Sequence, residues 1–114
     1  TPNPGRPELH SSFQVGTTTI DNWCRSAGLR PDWIMMDIEG YEGAAIRGGM
    51  QTIRACADRL TLIVEMHPPL WEISGSSRAD MEKILAEAHL RPIPLSGQTD
   101  PLGEMGVVLL ETVS

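Results

Sequence analysis

A short apolar run that ends in two carboxylates and a glycine constrains this chain more than any other feature. The run Trp33 to Ile38 contains Asp37 and is followed by Glu39 and Gly40, after which a helical pattern begins. This order is typical of a buried parallel strand that brings acidic side chains to the carboxyl edge of an α/β sheet. Ligands of such sheets bind in the crevice outside that edge. The stretch therefore predicts both a fold class and the place of a site.

A second run, Leu60 to Met66, repeats the arrangement, because it carries Glu65 and is followed by His67. Side chains alternate along a strand, so Asp37 and Glu39 are expected to point the same way, as are Glu65 and His67. Neighbouring parallel strands lie about 4.8 Å apart. The four side chains are therefore predicted to face one pocket.

These residue types are compatible with three kinds of site. Carboxylate oxygens and an imidazole can hold a divalent metal ion, and they can supply a general base to a hydroxyl nucleophile. They can also bind a cationic or polyhydroxylated ligand. A purely structural alternative is that Asp37, Glu39 and Glu42 stabilise the positive N-terminus of the following helix. The residues by themselves leave these alternatives open.

The remaining patterns indicate alternating strands and helices. Asp21 is the expected N-cap of a helix that runs to Ala27 with Ile20, Trp23 and Cys24 on its buried face, and Ser77 is the expected N-cap of another. Apolar residues recur with a helical period after Gly40, and Gly48-Gly49 indicates either close approach to the sheet or a break into two helices. Further strands are predicted at Leu90 to Leu95, as an edge strand containing prolines, and at Val107 to Leu110, as an interior strand. This order predicts an α/β fold with a largely parallel sheet and a final antiparallel strand.

Composition excludes several classes of function. The net charge is −6 and the 9 Lys and Arg residues are scattered, which argues against a nucleic-acid partner. No apolar run approaches the roughly 20 residues that span a bilayer, so no membrane partner is expected. The two cysteines are read as small buried residues in a reducing compartment, which predicts a cytoplasmic location. Residues 1–12 are predicted to be a linker or loop, and residues 13–114 to form the domain.

Four segments together resemble the FkbM family of S-adenosylmethionine-dependent methyltransferases. They are Thr18 to Trp23, Asp32 to Glu42, Ile46 to Gly49 and Leu62 to Pro68. The family pattern runs roughly T-L-D, then D-hydrophobic-I-K-I-D-hydrophobic-E-G-x-E, then L-x-G-A, then an apolar strand that ends in E-x-H. One departure is Met35, which stands where the family has a lysine.

The resemblance implies a partial Rossmann-like class I methyltransferase fold that carries strands four to seven of the sheet. No G-x-G segment follows a predicted strand, so the glycine-rich cofactor turn is expected upstream of Thr1. The implied reaction is methyl transfer from S-adenosylmethionine to a hydroxyl oxygen of a sugar or natural product. Asp37 and Glu39 are the implied cofactor-binding residues, and both join Glu65 and His67 as catalytic candidates. His67 or Glu65 is the expected base, since imidazole titrates nearest physiological pH. No residue is assigned to a metal.

Two other functions compete with this reading. The first is a catalytically inactive binding fragment. The second, ranked last, is a metal-dependent hydrolase that uses Asp37, Glu65 and His67, because the spacing of these residues is not that of a recognised metal motif. The methyltransferase reading also leaves the strand Trp33 to Ile38 without its neighbour. An unpaired apolar strand edge favours self-association, so a second copy of the chain is an expected partner besides the small-molecule or saccharide acceptor.

Overall fold

The computed structural model describes residues 17–113. The predicted linker at residues 1–12 lies outside the described residues, as does most of a short edge strand expected from Phe13 to Thr19. Eight helices and strands follow in chain order: α1 (Ile20–Ala27), β1 (Trp33–Met36), α2 (Glu42–Gly48), α3 (Met50–Ala55), β2 (Thr61–Met66), α4 (Arg78–Glu87), β3 (Leu90–Pro94) and β4 (Gly106–Thr112). A short 3-10 helix, Pro68–Leu70, follows β2. No helix in this described part is long and apolar enough to cross a membrane.

The four strands form one mixed sheet in the order β1-β2-β4-β3. Strand β1 is parallel to β2, and β4 is antiparallel to both β2 and β3. The predicted α/β class and the final antiparallel strand are confirmed. Three strands run in one direction, as expected, but two of the three pairings are antiparallel because β4 lies between β2 and β3. The prolines of β3 are tolerated because that strand lies at an edge.

One face of the sheet is packed against the helices. Leu62, Val64 and Met66 alternate along β2 and are fully buried, whereas the residues between them are half-buried. They join a single core with side chains from three helices and from β4, which include Ile46, Ile53, Met81, Ile84, Leu85, Val108 and Leu110. Each such side chain contributes about 1.5–3 kcal/mol when fully buried. The continuous apolar run Leu60 to Met66 predicts a strand that is covered on both faces, and for the described residues this prediction is wrong.

The pair Gly48-Gly49 separates two short helices, so the predicted alternative of a break into two helices is confirmed. A Cβ atom built on Gly48 would lie 3.1 Å from Thr19, and one built on Gly49 would lie 3.1 Å from Ile20. Both neighbours are on or next to α1. The close approach is therefore to α1 and not to the sheet.

Two details of α1 differ from the prediction. The N-cap is Thr19, whose hydroxyl accepts from the Asn22 N–H at 3.0 Å. Asp21 instead reaches α3, where its carboxylate accepts from the amides of Gln51 and Thr52 at 3.2 and 2.8 Å. Trp23 is 54% exposed, so it does not belong to the buried face.

Two other predictions are confirmed. Ser77 caps α4, and both cysteines are buried and free.

Strand β1 is shorter and more exposed than its apolar sequence predicts. It ends at Met36 instead of Ile38, and only Met36 is buried. Trp33 and Met35 are 64% and 74% exposed. The reason is position, because β1 is the edge of the described sheet and one of its long sides has no strand neighbour among residues 17–113.

This edge generates a prediction about association. We expect the chain to self-associate at tens of micromolar, because an exposed apolar edge offers unpaired backbone groups to a second copy. Met35→Lys places a charge on that edge and is expected to return the sample to monomer in sedimentation velocity. Met105→Lys is the matched control, since Met105 is 59% exposed and lies outside the strands. A monodisperse wild-type monomer at this concentration would contradict the prediction.

Candidate active site

Three of the four predicted site residues meet where β1 and β2 end. Asp37 directly follows β1, Glu65 lies in β2 and His67 follows β2. The strands are paired in step, with Met36 opposite Val64, so the next residues along each strand, Asp37 and Glu65, come side by side. His67 Nε2 lies 3.7 Å from Asp37 Oδ1 and 3.6 Å from Glu65 Oε1. The predicted convergence of these side chains is confirmed.

Glu39 is placed differently from these three. The predicted alternation requires a strand as far as Ile38, but the strand ends at Met36 and Glu39 has a left-handed backbone with φ of 46°. Its carboxylate is not part of the group formed by Asp37, Glu65 and His67. Glu39 instead lines a cavity beside α2, so its predicted role in cofactor binding remains a prediction.

That cavity has a volume of about 970 Å³ and lies beside the start of α1 and along α2. Its described lining is Thr17, Thr18, Thr19, Ile20, Asp37, Ile38, Glu39, Tyr41, Ala44, Ala45 and Gly48. Asp37 therefore borders the cavity on one side and approaches His67 on the other. Among the described residues it is the side chain that connects the two halves of the site.

Gly40 makes the sharp turn between β1 and α2. Its φ of 104° is a conformation that residues with a Cβ rarely adopt. A Cβ at this position would also lie 2.9 Å from the Leu70 Cβ and 3.0 Å from the Leu70 carbonyl oxygen. The segment after β2 therefore packs directly on the Gly40 backbone, which gives this glycine two physical reasons to be present.

Glu42 is the centre of the hydrogen bonding, and the sequence did not identify it as such. Its side chain is fully buried although it lies in the first turn of α2. Its Oε1 accepts from the His67 amide at 2.8 Å and from the Trp71 indole N–H at 2.9 Å, and its Oε2 accepts from the Gly40 amide. A buried carboxylate is tolerated when such donors replace water. The residue therefore joins the end of β1, the end of β2 and the segment that follows β2.

Two signals in the sequence bear on this bridge. Glu42 stands in the Glu-Gly-x-Glu motif, where the sequence predicts only a charge at the helix terminus. Trp71 follows Pro68-Pro69, in a segment whose sequence predicts a loop. A buried tryptophan usually finds a partner for its indole N–H, but nothing in the periodicity indicates that the partner is Glu42.

The same bridge holds the backbone of His67, and the imidazole lies buried beside it. The backbone of His67 is held by Glu42, and its side chain is only 8% exposed. Nδ1 faces Glu42 Oε2 at 3.7 Å, while Nε2 faces the gap between Asp37 and Glu65. Three carboxylates thus surround one imidazole. Such a site suits proton transfer, binding of a cation, or both.

Replacing Glu42 tests the bridge. Glu42→Gln presents an amide group to one of the N–H donors and leaves that donor buried without an acceptor, which costs about 1–3 kcal/mol. We therefore expect the free energy of unfolding in urea to fall by about 2 kcal/mol. Glu87→Gln is the matched control, because Glu87 is exposed on α4 and should change stability by less than about 0.5 kcal/mol. Equal stabilities of the two variants would argue against the bridge.

Comparison with known proteins gives one match. The sequence model of a protein family, the methyltransferase FkbM domain, matches residues 4–91 of the chain. This range includes all four predicted site residues, Glu42 and Trp71. No curated protein and no solved structure matches the chain. The resemblance seen in the motifs is thereby confirmed over most of the sequence, and this chain belongs to the FkbM methyltransferase family.

Proposed function

We propose that this domain transfers a methyl group from S-adenosylmethionine to a hydroxyl oxygen, with a saccharide or natural product as the acceptor. The observation that carries the proposal is the position of Asp37. Its carboxylate borders the cavity and also lies 3.7 Å from His67 Nε2. A cofactor in the cavity and an acceptor beside His67 would meet at this residue.

The cavity fits the chemistry of the proposed cofactor. Its volume of about 970 Å³ is at the upper end of the roughly 300–1,000 Å³ of small-molecule sites. Asp37 and Glu39 contribute carboxylates that complement the positive sulfonium and ammonium groups, and Ile38 and Tyr41 contribute exposed apolar surface. These are the residues that would hold the cofactor. When bound, S-adenosylmethionine supplies an electrophilic methyl group on a sulfonium.

The acceptor is held and deprotonated by the cluster, which is the group formed by Asp37, Glu65 and His67. A hydroxyl acceptor must be held in line with the methyl group, and its proton must be removed as the new bond forms. His67 Nε2 and the Glu65 carboxylate, 3.6 Å apart, are the candidate proton acceptors. Asp37 is the candidate positioning group. The hydrogen bond from the His67 backbone to Glu42 and the burial of the imidazole support its assignment, because a base must be oriented before the acceptor arrives.

The fold supports the same proposal. A final antiparallel strand and an edge position for β1 are what the C-terminal part of a Rossmann-like class I methyltransferase fold would have. The alternative is a domain that binds without catalysis. It would share this architecture but would not bind S-adenosylmethionine, so calorimetry with the cofactor distinguishes the two functions.

Calorimetry with S-adenosylmethionine tests the proposal. We expect saturable binding that Asp37→Asn weakens about tenfold, because a hydrogen-bonded contact to a charged group contributes roughly 1.5–3 kcal/mol. His67→Asn should leave cofactor binding unchanged and lower methyl transfer to hydroxylated acceptors about 100-fold.

Glu87→Gln is again the control and should behave as wild type in both assays. Absence of binding would favour the inactive alternative for this chain. Unchanged transfer in both site variants would remove the basis for the assigned roles.

A further inference from the structure

We propose that Asp37, Glu65 and His67 form a binding site for one divalent transition-metal ion. The inference goes beyond methyl transfer and does not depend on it. It is based on the geometry of three side chains, on a buried imidazole whose Nδ1 has no hydrogen-bond partner among the described residues, and on the local charge.

The three side chains have the spacing of ligands to one ion. One ligand atom from each lies within 4.8 Å of the other two. His67 Nε2 lies 3.7 Å from Asp37 Oδ1 and 3.6 Å from Glu65 Oε1. Two ligands that each lie about 2.1 Å from one ion, at the tetrahedral angle, are roughly 3.4 Å apart, which is close to both distances. Asp37 and Glu65 are 64% and 38% exposed, so their side chains can adjust to close around an ion.

His67 is the observation that distinguishes this cluster from a patch of surface acids. Its side chain is more than nine-tenths buried, and its Nδ1 has no hydrogen-bond partner within residues 17–113. The nearest acceptor on that side is Glu42 Oε2, at 3.7 Å. A proton on Nδ1 directed at Glu42 leaves the lone pair of Nε2 pointing into the gap between Asp37 and Glu65. A carboxylate behind the imidazole is the arrangement that supports metal-bound histidines.

The charge around His67 also favours a cation. Asp37, Glu65 and Glu42 approach one imidazole, and within the described part of the chain His67 is the sole basic side chain in ion-pair contact with them. Even a protonated imidazole balances only one carboxylate. A divalent ion would balance the two carboxylates that face the solvent side.

The donor set indicates which ions would bind. Two carboxylates and one imidazole suit Mn²⁺, Fe²⁺ or Zn²⁺ better than Mg²⁺, which prefers oxygen ligands alone. Three protein ligands leave positions open for water or a hydroxyl, as in catalytic metal sites. With an ion bound, His67 Nε2 and the ligating Glu65 oxygen could not also accept the acceptor's proton. A positive titration would therefore assign these two residues to the ion instead of to proton removal, and methyl transfer itself would remain the proposed function.

Titration with Mn²⁺ tests the inference directly. Mn²⁺ is the suitable probe because it has little affinity for the thiols of the chain, and both calorimetry and electron paramagnetic resonance report its binding without any catalytic assay. We expect one saturable site in the wild type, and a rise in melting temperature that chelator reverses. Asp37→Asn and Glu65→Gln should each weaken binding at least about tenfold. Glu87→Gln, the same change on exposed α4, should bind as wild type.

The outcomes separate this inference from the proposed function. No saturable Mn²⁺ binding at millimolar concentration would overturn it. Binding that survives in both cluster variants would also overturn it and would mark adventitious association with an acidic protein. S-adenosylmethionine binding is measured in a separate titration without metal. A wild-type chain that fails to bind in one titration therefore leaves the conclusion drawn from the other titration standing.

Discussion

One buried carboxylate holds together the parts of this domain that carry its chemistry. Glu42 accepts three N–H donors, which come from the turn after β1, from the residue after β2 and from Trp71. All three hydrogen bonds are buried, so the three segments are bound to one another through a single side chain. The ends of two parallel strands are thereby fixed at the distance that the site requires.

The arrangement of the site follows from this constraint. Strand register brings Asp37 next to Glu65, and Glu42 seats His67 between them with its imidazole buried. Asp37 also borders the cavity. The domain thus presents a ligand cavity and an imidazole-carboxylate cluster that meet at one residue. Membership of the FkbM family indicates methyl transfer, and the cluster is where an acceptor proton or a metal ion would be held.

The sequence predicted the parts of this arrangement that depend on local pattern. Apolar runs followed by Asp37, Glu65 and His67 identified two strands and their meeting point, because alternation and parallel pairing leave few alternatives. The apolar run does not itself indicate the exposure of Met35, since such a run looks alike at the centre and at the edge of a sheet. The edge position was predicted only by the family resemblance, which leaves this strand without its neighbour. The role of Glu42 depends on Trp71, far along the chain, and no periodicity encodes that contact.

The most direct test of this account is the exchange rate of the Trp71 indole N–H, measured by nuclear magnetic resonance. Trp23 and Trp33 are 54% and 64% exposed and serve as internal references in the same sample. If Glu42 holds the site together, the Trp71 indole proton exchanges with solvent at least about 100-fold more slowly than the other two, because a buried hydrogen bond must open first. Exchange of all three indole protons at the same rate would contradict the account.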